Sequence, residues 1–128
     1  MRFLFICSAV MVLAGCTRAA LHSQLDEAYL AYDQGDCAKA MLELSRAERN
    51  NRARSDLQPE ISLLRGQCLE RQSLYLDAAE TYRFIVGRYP SSEYAFRARA
   101  RLQTLDQLGL VKDPSSVRTY PNPSAAVK

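Results

Sequence analysis

The sequence predicts an all-α fold, a short array of about five antiparallel helices. Apolar residues recur at helical spacing from about Leu21 to Leu108, and no segment alternates over enough residues to demand a strand. The breaks between the apolar sets carry residues that start or stop helices, and turns this short fold consecutive helices into hairpins.

Leu21, Leu25, Tyr29 and Tyr32 give the first helix its face, and Cys37, Met41, Leu44 and Ala47 give the second. Leu57, Ile61, Leu64 and Cys68 form a third set, Tyr75, Ala78, Ala79, Tyr82 and Val86 a fourth, and Ala95, Ala98, Leu102 and Leu105 a fifth. Gly35-Asp36 supplies a permissive turn residue and then a carboxylate that can accept from the next helix's amides. Pro59 suits a first turn, where no amide hydrogen is needed. Ser73 is placed to cap the fourth helix. In Tyr89-Pro90-Ser91-Ser92-Glu93 one helix stops and another starts on a serine cap.

The two ends read differently. Met1-Arg2 is a charged start, Phe3 to Val12 a short apolar core, and Leu13-Ala14-Gly15-Cys16 a small-residue cleavage site. The core is too short for a membrane span, which takes roughly 20 apolar residues. Leu13-Ala14-Gly15-Cys16 resembles the lipobox of bacterial lipoproteins. That resemblance implies a signal peptide over residues 1–15, cleavage before Cys16, and acylation of Cys16 by palmitate-type chains. Thr17 after the cysteine, where aspartate tends to retain lipoproteins of this family at the inner membrane, points to the outer membrane. Residues 16–22 then form a lipidated tether, 23–110 the helical domain, and 111–128 a disordered tail with Pro114, Pro121 and Pro123.

Composition narrows the function. Removing residues 1–15 takes away Arg2 and no acid, leaving sixteen basic and fourteen acidic side chains, too balanced for a nucleic-acid binder. Residues 21–80 hold eleven acids against seven bases, and residues 81–128 three against eight, so charge shifts along the array. Cys37 and Cys68 remain as an even pair; with His22 the only histidine, a zinc site lacks ligands and a Cys37–Cys68 disulfide is expected, against the alternative of two buried free thiols. No histidine stands where it could activate a nucleophile, and there is no phosphate loop or nucleophile elbow, so no enzyme and no cofactor are expected.

The helices also repeat. Gly35-Asp36-Cys37-Ala38-Lys39-Ala40 with Leu44 and Ala47, then Gly66, Ala78, Tyr82 and Pro90, resembles the tetratricopeptide repeat (TPR) with its 34-residue period. Ala28, Gly66 and Ala100 take its small position, 38 and 34 residues apart, with a four-residue insertion around Asn50–Ser55. The first unit departs from the family in having Gln24 and Glu27 where tryptophan and leucine are usual. The third has one helix, expected to act as a cap. Tyr89-Pro90-Ser91-Ser92-Glu93-Tyr94-Ala95 with Ala98 and Arg101-Leu102 is similar to the inter-repeat segment of BamD- and CpoB-type envelope TPR proteins, and lipidated TPR pilotins share the architecture.

The family implies an adaptor that binds a protein or peptide partner of an envelope assembly, secretion, pilus or division machine. A structural lipoprotein binding cell-wall glycan or a polysaccharide-export complex is the alternative, disfavoured by the lack of tryptophan. First helices line the concave side of such arrays. The expected contact residues are Tyr29 and Tyr32, then Glu70 and Arg71, then Tyr94, Arg97 and Arg101. Arg97 and Arg101 are expected to grip carboxylates of an acidic or C-terminal peptide.

Overall fold

The computed structural model describes residues 19–51 and 56–112. The described residues form five helices and no strand: α1 over residues 19–33, α2 Cys37–Asn50, α3 Gln58–Arg71, α4 Tyr75–Arg88 and α5 Glu93–Gln107. Cys16, the lipobox, residues 52–55 of the expected insertion, and the three tail prolines lie outside the described residues. No described helix is long and apolar enough to cross a membrane.

α2 packs on α3, α3 on α4 and α4 on α5, α3 also touches α5, and α1 joins α2 and α3 in one hydrophobic cluster. The small side chains make room for this. Leu21, Leu25 and Ala28 of α1 join Leu44 and Ala47 of α2 and Ile61 and Leu64 of α3 in one cluster. Leu63, Ala78, Ala79, Tyr82, Ile85, Ala95, Ala98 and Leu105 form the next, between α3, α4 and α5. Each fully buried Leu or Ile here contributes about 1.5–3 kcal/mol. Glu48 of α2 accepts from Gln58 (2.7 Å) and Arg65 (2.9 Å), tying α2 to α3.

The domain is longer than its expected bounds at both ends. Residues 19–22 are helical and continue α1, and Leu21, 5% exposed, packs in the first cluster, so the helix begins within the expected tether. Val111 is 6% exposed within the second cluster and belongs to the domain, not to the tail.

Caps follow the sequence at two helices. Asp36 accepts from the Lys39 amide at 2.9 Å and Ser92 from the Ala95 amide at 3.1 Å. Ser73 does not cap α4, whose N-cap is Leu74. It ends α3 instead. The Ser73 amide donates to the Glu70 carbonyl and the Leu74 amide to Leu69, with Ser73 at φ 61°. This is a Schellman motif, and it recurs at Gly35 after α1 and Gly109 after α5. The three first helices thus end alike, a repeat in backbone geometry beneath weak sequence identity. Serine strains the left-handed position that glycine fills freely. Ser73→Gly is expected to stabilise the protein by roughly 1 kcal/mol, read as a raised Tm in thermal unfolding.

Candidate functional site

The seven residues expected to contact a partner fall in two tiers: Tyr29, Tyr94 and Arg97 near Glu60 of α3, and Tyr32, Glu70, Arg71 and Arg101 along one groove. Glu60, in the first turn of α3, accepts from the Tyr29 hydroxyl of α1 at 2.9 Å. Tyr94 of α5 lies within the electrostatic reach of the same carboxylate. Burial and then the Glu60 contact raise the Tyr29 phenol, and the same causes push Tyr94 up to about 12, so both stay protonated donors at neutral pH. Arg97 lies 5.9 Å from the Tyr94 ring centre and pairs with the exposed Glu93 at 3.4 Å.

Glu70 organises the second tier. Its Oε1 accepts from the Tyr82 hydroxyl at 2.5 Å and from Arg101 Nε at 2.9 Å, while Arg101 Nη2 closes on Oε2. Burial alone would raise the Glu70 carboxyl; the hydrogen bonds from Arg101 and Tyr82 and the guanidinium charge outweigh it, and the carboxyl titrates below its ordinary range. The guanidinium expected to await a partner is therefore already spent. Arg101 is a structural tie between α5 and α3.

Arg71 is in the opposite condition. Its guanidinium lies 3.5 Å from the centre of the Tyr32 ring and donates to the Tyr32 backbone carbonyl. No carboxylate of the described residues pairs with it. Tyr32, Gln67, Glu70, Arg71 and Arg101 line an open groove of about 440 Å³ with Tyr75 at the start of α4. Leu105, Leu108 and Leu110 form its apolar wall, with Leu108 66% exposed. The groove thus offers one unneutralised cation, the Gln67 amide, the Tyr75 hydroxyl and an apolar side.

Sequence reasoning missed Glu60, Tyr75 and the leucine wall. Glu60 reads as a first-turn acid, and only the approach of α1 and α5 makes it a hub. Leu108 and Leu110 flank the left-handed Gly109, a signal that was legible: exposed apolar residues at the end of the last described helix.

Beneath Tyr32, Cys37 and Cys68 meet in a small cluster with Ala31 and Ala40. Both are buried free thiols, so the structure has the alternative of two unbridged cysteines and not the expected Cys37–Cys68 disulfide. Burial, then the Cys37 contact, pushes the Cys68 thiol up to about 12. His22 is exposed on α1, beside Asp26. No three described His, Cys, Asp or Glu side chains are placed to hold a metal ion. Comparison with protein-family models, with curated proteins and with solved structures gave no match.

Proposed function

We propose that the chain is a lipid-anchored, TPR-like adaptor of the bacterial outer membrane, facing the periplasm and holding a segment of a protein partner in the groove along α1, α3 and α5. The observation that carries this reading is Arg71, a cation in an open groove with an aromatic backing and no carboxylate of its own. An extended segment with a carboxylate would meet Arg71, hydrogen-bond to Gln67 and Tyr75, and lay an apolar side chain against Leu105 and Leu108. The partner is thus a protein of an envelope machine, bound through an acidic or C-terminal stretch. The Arg97 and Tyr94 tier extends the same face and would contact a longer segment.

The test is Arg71→Glu in the full chain, with retention measured by crosslinking pull-down from detergent-solubilised envelopes. Retention should fall about tenfold or more while helicity is unchanged, because a charged groove contact is reversed. Unchanged retention, or sedimentation with purified sacculi instead, would remove the groove from the function.

One mass measurement on the natively exported protein checks the covalent part of the reading. The N-terminus should be acylated Cys16, since several chains are needed for stable anchoring. Cys37 and Cys68, buried free thiols in the structure, should both be alkylated without reductant once the protein is unfolded. An unmodified N-terminus, or cysteines that resist alkylation until reduced, contradicts the corresponding half.

A further inference from the structure

We propose that the outer face of α5, built on Phe96, Ala100 and Gln103, is a docking site for an amphipathic helix of another protein with a leucine anchor and acidic flanks. The argument comes from the chain's own repetition. The equivalent side of α3 carries Ser62, Gly66 and Leu69, 34 residues earlier. There Gly66 lies directly under Tyr82 of α4, and Leu69 packs into the cluster that α4 completes. The equivalent side of α1 carries Ala28 and Ala31, both 0% exposed, with Ala28 in the cluster of Leu44 and Ala47 from α2. In both hairpins this side of the first helix is the seat of a second helix.

On α5 that seat is open. Phe96 is 73% exposed, and Ala100 and Gln103 are exposed beside it. Successive helix residues turn by roughly 100°, so these positions form one stripe opposite the buried Ala98 and Leu105. The seats also state what fits. Over Gly66, with no Cβ, sits a tyrosine; in the cluster of Ala28, with a methyl, stands Leu44 at the position 38 residues before Tyr82. Ala100 has the methyl, so its seat is sized for leucine. Pro114, Pro121 and Pro123 divide the sequence of residues 113–128 into runs shorter than the 14 residues of α2 or α4.

Charge gives the flanks. Arg99 lies on one side of the stripe and Arg97 on the other. Arg99 donates to the Pro90 carbonyl and has no carboxylate among the described residues; Arg97 has only the exposed Glu93 at 3.4 Å. A helix with glutamates on both shoulders would meet both arginines, whereas a second copy would bring the same arginines against themselves. The site shares only Arg97 with the tier that extends the groove; the groove itself opens on the Arg101 and Leu105 side of α5.

The probe is a fluorescein-labelled 14-residue helical peptide, the length of α2, with leucine at the position of Leu44 and glutamates on both shoulders. Fluorescence anisotropy with the full chain should show saturable binding that tightens as salt is lowered. Ala100→Arg and Phe96→Glu should each weaken it by about tenfold or more, and so should lysines in place of the glutamates. Arg71→Ala should leave it unchanged, which separates this proposal from the groove reading. Absence of binding, or binding indifferent to Ala100→Arg and Phe96→Glu in variants of unchanged helicity, overturns it. A concentration-dependent dimer in sedimentation that Ala100→Arg abolishes would give the seat to a second copy and equally overturn it.

Discussion

Gly66→Ala is expected to destabilise the protein by about 2 kcal/mol, roughly a 10 °C fall in Tm for a domain of this size. Helix propensity alone argues the other way, since alanine is favoured over glycine by about 1 kcal/mol in a helix interior. Packing decides it. A Cβ at Gly66 would stand 2.4 Å from Tyr82 Cε1 and 2.9 Å from Cζ. Tyr82 is fully buried and its hydroxyl is held by Glu70, so the ring cannot swing aside cheaply. The equivalent position in the first hairpin is already alanine, with Leu44 in place of the tyrosine. A Gly66→Ala, Tyr82→Leu double variant should therefore lose less than the two single changes added together, a coupling read from a double-mutant cycle in urea. Additive losses would mean that the close approach does not limit the packing.

Loss of Glu70 is the second large effect. Glu70→Ala is expected to cost about 2 kcal/mol, chiefly because the hydroxyl of buried Tyr82 loses its acceptor. Arg101, with a side chain 42% exposed, can turn to water and adds little. The pH dependence has a definite sign. The folded carboxyl titrates below its ordinary value of 4.5, so its contribution is fully present above that value and is lost as pH falls through the folded one. Glu70→Gln keeps an acceptor for Tyr82 but cannot titrate. Urea unfolding at a series of pH values from neutral downward should show a shallower loss of stability for Glu70→Gln than for the parent chain. Parallel curves would mean that Glu70 carries no such linkage.

The helices were legible because amphipathic spacing, Asp36, Pro59 and Ser92 are local signals that packing then reinforces. What escaped is not local. Ser73 can cap the start of one helix or end another, and only its φ of 61° decides which. Arg101 and Glu70 stand 31 residues apart, so no spacing rule pairs them. Pairing them reverses the expected role of Arg101 and passes the free charge to Arg71. The tyrosines and arginines of the inner side were found because first helices of stacked hairpins must share a side. How they divide between tie and contact depends on which carboxylates α3 brings among them. Val111 was misplaced because a core edge looks like a linker until neighbouring helices cover it.

The groove is the centre of this account, and crosslinking from within it is its most direct test. A photo-crosslinking residue at Gln67, on the groove lining, is compared with one at Leu42, which is 50% exposed on α2 and outside the groove. With the full chain in the cells that make it, illumination should join a protein partner to position 67, and Arg71→Glu in the same chain should abolish that adduct. Equal adducts from both positions, or an adduct at 67 that survives Arg71→Glu, would contradict a partner held in the groove through Arg71.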